Sequence, residues 1–186
     1  MKKIIAIIAV KKNSIRLKNK NLLLINKQPL FWHSIKCFYD VLKSQDIYIA
    51  TDSQKILAFC KKKKINVIWR GPNKTIDEEQ LFEVLKYSYG TLKFKTKYVL
   101  SVLANSPFHT KQNVENLIKQ IKKDKFDEVR SFDKHGQETG LFAFKSKIFH
   151  TRYEISNHIG AIPASAKEIH YKKEFLKLKN LINKQN

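Results

Sequence analysis

Ile4-Ile5-Ala6-Ile7-Ile8-Ala9-Val10-Lys11-Lys12-Asn13-Ser14-Ile15-Arg16-Leu17-Lys18-Asn19-Lys20-Asn21 is the stretch whose reading decides the fold. Its first part, Ile4 to Val10, is wholly apolar and mostly branched. A run this short and this branched predicts a strand buried on both faces. It is far too short to span a membrane. At Lys11 the character changes abruptly, and from there to Asn21 the chain carries five cations, three Asn and one Ser. A loop of this kind at the end of a buried strand can turn backbone N–H groups, ammonium groups and a guanidinium toward one anion. The natural anion is a polyphosphate.

Working outward, apolar runs and helical spacings alternate. Leu22–Ile25 is a short apolar piece, and Asn26-Lys27-Gln28-Pro29 reads as a turn. Leu30 to Leu42 has helical spacing. Residues 46–51 read as a second strand ending in Thr51-Asp52-Ser53, where a polar residue can cap the helix that runs to about Lys63. Residues 66–69 form a third strand, followed by the loop 70–75. A helix is expected from Ile76 to Tyr89, with acids in its first turn as the helix dipole prefers. Lys97 to Leu103 is a strong buried strand, and Ala104-Asn105-Ser106-Pro107-Phe108-His109-Thr110 is the loop at its end. Thr110 is placed to cap a helix reaching about Lys123. Further strands are expected at 127–132, 140–144 and 159–162, and a final helix at 171–183 with Phe175, Leu178, Leu181 and Ile182 on one side.

This alternation predicts an α/β sandwich with a largely parallel sheet, one domain over residues 1–186. In such folds ligands sit beyond the carboxyl ends of the strands. The loops at those ends, 11–21, 51–53, 70–75 and 104–109, all carry polar or charged groups. Their convergence predicts one anionic site at that edge of the sheet.

Composition narrows the classes further. The chain has 186 residues, of which 42% are hydrophobic, and its formal net charge is +21. That apolar share excludes wholesale disorder. Only Arg16, Arg70, Arg130 and Arg152 are arginines; the remaining 33 of the 37 cations are lysines spread along the chain. A dedicated nucleic-acid surface would use more guanidinium, so the charge reads as solvated faces that attract anionic substrates, and specific nucleic-acid binding is not expected. Cys37 and Cys60 have no metal-type spacing, and no signal-like leader with a cleavage site is present. The expectation is a cytoplasmic protein with free thiols.

The chain resembles the acylneuraminate cytidylyltransferases, the CMP-sialic acid synthetases. Five landmarks occur in order. The family's A-R-x-x-S-x-R/G-L-x-x-K-N loop appears as residues 10–21, with Ser14, Leu17, Lys20 and Asn21 in register. Its S-T-D appears as Ala50-Thr51-Asp52, and its R-P-x-x-L-A-x-D as residues 70–77, with Arg70 and Asp77 at the family's separation. Its L-Q-P-T-S-P-L-R appears as residues 102–109, and its N-G-A-I-Y-I strand as residues 139–144. The resemblance implies a three-layer α/β/α sandwich of the nucleotide-diphospho-sugar transferase type with a mostly parallel mixed sheet. It implies transfer of CMP from CTP to an acidic sugar, sialic acid or a related nonulosonic acid, with release of pyrophosphate and help from Mg2+.

Carried over residue by residue, the resemblance assigns Lys20, Lys11 and Arg16 to the triphosphate, with Lys20 at the α-phosphate. It assigns Ser14, Asn21, Asp52, Arg70 and Ser106 to the nucleotide site, and Glu168 to the metal. Departures are equally specific. The family's loop Arg is Lys11, which loses the bidentate fork. Leu103 and His109 stand where the family has Gln and Arg. The paired aspartates of its D-x-D fall on Glu168-Ile169-His170, and His170 is a poor ligand for Mg2+. Six residues bridge Phe132 and Thr139, where the family carries a dimerisation arm that also helps form the sugar pocket. The expected state is a monomer or a non-standard homodimer. The plain alternatives are a solvated basic loop for Lys11, Arg16 and Lys20, a helix cap for Asp52 and simple turn chemistry for Ser14 and Asn21. At the level of the protein they are a non-catalytic nucleotide-binding relative or a basic nucleic-acid-binding protein.

Overall fold

A computed structural model describes residues 2–71, 80–150 and 158–184. Strand β1, Lys2–Val10, lies inside the sheet, between β4 and β6. Its alternation is apolar on both sides: Ile5 and Ile7 enter one core, while Ala6, Ile8 and Val10 enter the other. A strand buried on two faces has no polar side to offer, which is why the run reads as continuous rather than alternating.

A two-residue hairpin follows, β2 Leu24–Ile25 against β3 Gln28–Pro29. Its turn residues Asn26 and Lys27 have φ of 46° and 61°. The remaining elements are α1 Leu30–Tyr39, β4 Ile47–Thr51, α2 Gln54–Lys62, β5 Asn66–Trp69, α3 Leu81–Gly90 and β6 Thr96–Val102, followed by α4 Lys111–Ile121, β7 Glu128–Phe132, β8 Glu138–Lys145, β9 Ile159–Pro163 and α5 Lys172–Lys184. The main sheet runs β5-β4-β1-β6-β8-β7-β9. Four of its six pairings are parallel, and β8 is antiparallel to both of its neighbours. The expected mostly parallel mixed sheet is therefore present.

Two apolar layers enclose this sheet. On one face Phe31, Ile35 and Phe38 of α1, Ile56 and Cys60 of α2, and Val114, Leu117 and Ile121 of α4 pack on Ala6, Ile8 and Val10. On the other, Leu85 and Tyr89 of α3 join Phe149 against Ile5, Ile7 and Val99. A third, smaller cluster joins Phe175 and Leu178 of α5 to Ile25, Leu30 and Ile169, with Leu17 and Leu23 against it. Helix α5 thus packs onto the base of the basic loop.

Helix boundaries have local causes. The Ser53 hydroxyl accepts the Ile56 N–H at 3.5 Å, so Ser53 rather than Asp52 caps α2. Thr110 caps α4 in a reciprocal box with Asn113. Helix α1 ends at Tyr39, earlier than the expected Leu42, with Asp40 as its last capping residue. In α5 the expected apolar side is narrower than predicted: Phe175 and Leu178 are buried but Leu181 is 54% exposed. Leu181 lies six helical steps from Phe175, about 240° around the axis, so it swings off the stripe that Phe175 and Leu178 share. Residues 72–79, which include most of the expected loop, Asp77 and the start of its helix, lie outside the described residues, as do 151–157. The side chain of Ile182 lies outside them too.

Candidate functional site

In the strand order, β4 and β5 lie on one side of β1 and β6 lies on the other. The chain therefore diverges at the carboxyl ends of β1 and β6, and a crevice opens there. The structure has a cleft of about 190 Å³ at this place. Ala9 and Lys11 from the end of β1, Arg70 after β5, and Leu103, Ala104 and Asn105 after β6 line it. Ser14, Lys20 and Asn21 reach in from the basic loop, and Leu81 and Val84 from α3.

The loop is held in shape by its own polar groups. The Asn21 amide donates to the Lys11 carbonyl at 3.1 Å, closing the loop across its neck. The Lys12 N–H donates to Asp52 Oδ1 at 2.7 Å, tying the loop to the end of β4. Thr51 Oγ1 donates to the Val10 carbonyl at 2.7 Å. Asn19 takes φ 54°, a left-handed conformation that Asn tolerates, just before the turn that presents Lys20. Asn21 Oδ1 is buried without a hydrogen-bond partner among the described residues.

Lys20 is the most perturbed cation of the site. Its ammonium is pushed down to about 8. Burial is the main cause; the Glu168 charge opposes the shift, and the neighbouring Arg16 and Lys11 charges add to it. A half-buried ammonium crowded by other cations is an arrangement that an incoming anion would relieve.

The cleft is walled at its rim by segment 168–170. The Ile169 N–H donates to the Asn105 carbonyl at 2.8 Å. The Asn105 amide donates back to the Ile169 carbonyl at 3.0 Å and to Glu168 Oε2 at 3.2 Å. His170 Nε2 lies 3.1 Å from the same Glu168 oxygen, and His170 Nδ1 lies 3.0 Å from Arg16 Nη1. Glu174, in the first turn of α5, accepts the N–H groups of His170 and Tyr171 at 2.6 and 2.9 Å and anchors this wall.

The nine residues singled out from the sequence thus separate into three groups. Lys11, Ser14, Lys20, Asn21 and Arg70 line the cleft together. Arg16 and Glu168 stand at its rim, joined through His170. Asp52 and Ser106 are elsewhere. Asp52 is buried behind the loop as the acceptor for Lys12. Ser106 is fully buried and donates to the Thr139 carbonyl at 2.7 Å. His109 shares that carbonyl, also at 2.7 Å, and burial pushes its imidazole down to about 4, so the ring is neutral at pH 7. The Ser106–His109 pair is a bracket that pins the loop after β6 onto β8. Gly140 completes it: a Cβ there would stand 2.8 Å from the Leu103 side chain, and its φ of 83° already favours glycine.

Sequence reasoning gave Asn105 no role of its own. Its signal was its place in the loop after a buried strand. The Arg16–His170 contact joins residues 154 positions apart, and no local pattern carries it. For metal binding the donor set is thin. Among the described residues no three His, Cys, Asp or Glu side chains are grouped to hold an ion. Among the described residues the wall holds two carboxylates, Glu168 and Glu174, both engaged by protein donors, which fits a magnesium ion carried mainly by phosphate oxygens and not one caged by the protein. No described helix is long and apolar enough to cross a membrane.

Comparison with known proteins places this geometry in context. In fold, the chain is similar to a CMP:2-keto-3-deoxy-manno-octonic acid synthetase solved with CTP, with a TM-score of 0.82, 12% identity, and coverage of 99% of this chain and 100% of the other. It is also similar to a cytidylyltransferase from Leptospira borgpetersenii, with a TM-score of 0.74, 12% identity, and coverage of 98% and 87%. These likenesses bear out the nucleotide-diphospho-sugar transferase type of fold. In sequence it is 25% identical over 140 residues to N-acylneuraminate cytidylyltransferases of Streptococcus agalactiae strains NEM316 and A909. The match covers 74% of this chain but 34% of theirs, so the chain spans about a third of the length of those relatives. The family described as Cytidylyltransferase matches residues 5–181, and the chain belongs to it.

Proposed function

We propose that the cleft binds CTP and that the protein transfers CMP to the hydroxyl of an acidic sugar, sialic acid or a related keto-sugar acid, releasing pyrophosphate. The observation that carries this reading is Lys20: a half-buried ammonium, depressed to about 8, set among Lys11, Ser14 and Asn21 at the mouth of β1. The Streptococcus relatives, by their names, act on N-acylneuraminate, and the CMP:2-keto-3-deoxy-manno-octonic acid synthetase on another keto-sugar acid. Both support an acidic acceptor.

The acceptor oxygen attacks the α-phosphorus in line. The new O–P bond forms as the bond to the β-phosphate oxygen breaks; the hydroxyl proton passes to water, and the electron pair leaves with pyrophosphate. Nothing covalent is asked of the protein, so positioning and charge supply the rate. Lys20 neutralises charge developing on the α-phosphoryl oxygens, and Lys11 and Arg16 hold the β- and γ-phosphates. Ser14 and Asn21 contribute neutral hydrogen bonds, and Arg70 closes the nucleoside side of the cleft. Glu168 would be the protein ligand to Mg2+, which would supply charge for the leaving pyrophosphate.

Pyrophosphate release from CTP, measured with Mg2+ and a panel of sialic, nonulosonic and octulosonic acids, tests this reading. Release that depends on one of these acids is expected. CTP binding without release for any acceptor would instead favour a non-catalytic nucleotide binder, a reading that the thin metal-donor set among the described residues also supports. A salt-titrated nucleic-acid binding assay covers the remaining class. Affinity for DNA or RNA is expected to vanish at physiological salt.

A further inference from the structure

We propose that His170 is a positioning residue that holds the Arg16 guanidinium at the rim of the cleft as a fixed cation for the nucleotide's terminal phosphates, and that it is not a metal ligand. The proposal rests on the reading of the cleft as a triphosphate site. Arginine only donates, so the 3.0 Å contact from Arg16 Nη1 requires an unprotonated Nδ1 on His170. The ring proton then sits on Nε2, and it points at Glu168 Oε2, 3.1 Å away. The Asn105 amide, itself part of the cleft lining, donates to that same oxygen.

The result is one directed chain, Arg16 to His170 to Glu168, with Asn105 converging on the last carboxylate. Both ring nitrogens of His170 are committed. A metal could take Nδ1 only by expelling Arg16, and Nε2 only by moving the proton and breaking with Glu168. Each link therefore works against ligation and in favour of a brace.

The chain also explains how an exposed arginine can be set in place. Arg16 sits on the basic loop, and a long side chain there would otherwise sample many rotamers. His170 is rigidly mounted, because its own N–H is held by Glu174 and the adjoining Ile169 is buried and bonded to Asn105. Arg16 is also close enough to Lys20 to lower that ammonium's proton affinity. The guanidinium thus stands beside the main phosphate cation.

Calorimetric titration of the intact chain with CTP and with inorganic tripolyphosphate, each with and without Mg2+, tests the proposal. Loss of a charge-assisted contact predicts that Arg16→Ala weakens both ligands by about ten- to a hundred-fold, and His170→Ala by about three- to ten-fold, in metal-free buffer as well. The double variant should bind no more weakly than Arg16→Ala alone, because His170 acts through Arg16. His170→Asn places an amide oxygen where Nδ1 was and should retain most of the affinity. His170→Gln reaches only toward Glu168 and should not. This split also separates positioning from a folding defect, since both amides are similarly conservative. A loss on His170→Ala that appears only with Mg2+, additive single and double variants, or equal behaviour of Asn and Gln would overturn the brace. Wild-type protein that binds tripolyphosphate but never turns over CTP would overturn the proposed transferase reading and leave the brace standing. Wild-type protein that binds neither ligand would overturn both.

Discussion

Two clusters of cations, at opposite ends of the same sheet, show how differently one Lys-rich composition can be used. At the amino ends of the parallel strands, Lys145 lies 3.1 Å from Asp124 and 3.5 Å from Asp127, and Lys147 lies 2.9 Å from Asp127. There the hydrogen bond from Lys147 holds the Asp127 carboxyl below its usual range, and the bond from Lys145 does the same for Asp124. Lys145 is largely buried and Lys147 exposed, so only the Lys147 pair is of the surface kind that contributes little. At the carboxyl ends, Lys20 is crowded by Arg16 and Lys11, with burial as the dominant effect, and its proton affinity falls. The first cluster is satisfied by the protein. The second is dominated by burial and neighbouring cations, which Glu168 and Glu174 offset only in part.

The most severe way to break this contrast is Lys20→Met. Removing the cation at the α-phosphate should lower the rate of pyrophosphate release by about a hundred- to a thousand-fold, the range found when one preorganised charge donor is lost. The same change should raise stability. A cation whose folded value lies below its unfolded value costs stability while it is charged, so the cost is complete below about pH 8 and is relieved as pH rises through about 8 toward 10.5. The shift sets an upper bound of about 3 kcal/mol, reduced by solvent screening, so about 1–2 kcal/mol of gain at pH 7 is expected. Denaturant unfolding at pH 7 and pH 9.5 checks the sign: the advantage of the variant should shrink at the higher pH.

A smaller effect is expected behind the loop. Asp52→Ala leaves the Lys12 N–H without its acceptor and should cost about 1–3 kcal/mol while weakening CTP several-fold, because the loop loses its tie to β4. Ser106→Ala sharpens the comparison further. It removes one buried donor to a carbonyl that His109 still satisfies, so about 1 kcal/mol of stability should go with CTP affinity unchanged. An affinity loss there would return Ser106 to the nucleotide site. At the opposite end, Lys147→Ala should leave both the thermal midpoint and CTP affinity where they are.

Much of the cleft's lining was legible because its parts are local. Lys11, Ser14, Lys20 and Asn21 sit on one short loop after an unmistakable strand, and any βα connection delivers them to the same sheet edge. Arg70 follows β5 for the same reason, its N–H extending the ladder to the Thr51 carbonyl at 3.0 Å. Asp52 and Ser106 were harder. Their loops are at the same edge, but a residue in a loop can face a ligand or hold the loop, and the hydrogen bonds of both here hold the loop. That choice depends on which buried acceptor or donor is within reach, and pattern carries no such information.

The sequence by itself determined the layered sheet with β1 buried inside it, because a branched apolar run bounded by charge can be satisfied only as a strand covered on both sides. It also determined the basic loop at that strand's mouth. Only the tertiary structure decided what stands opposite the loop. Glu168 and His170 are brought to Arg16 by the packing of Phe175 and Leu178 on Ile25 and Leu30, and by the two-way bonding of Asn105 with Ile169. Hydrophobic burial sets where α5 docks but carries no direction. The directed hydrogen bonds at its N-terminal end turn that docking into a particular pairing of Arg16 with His170.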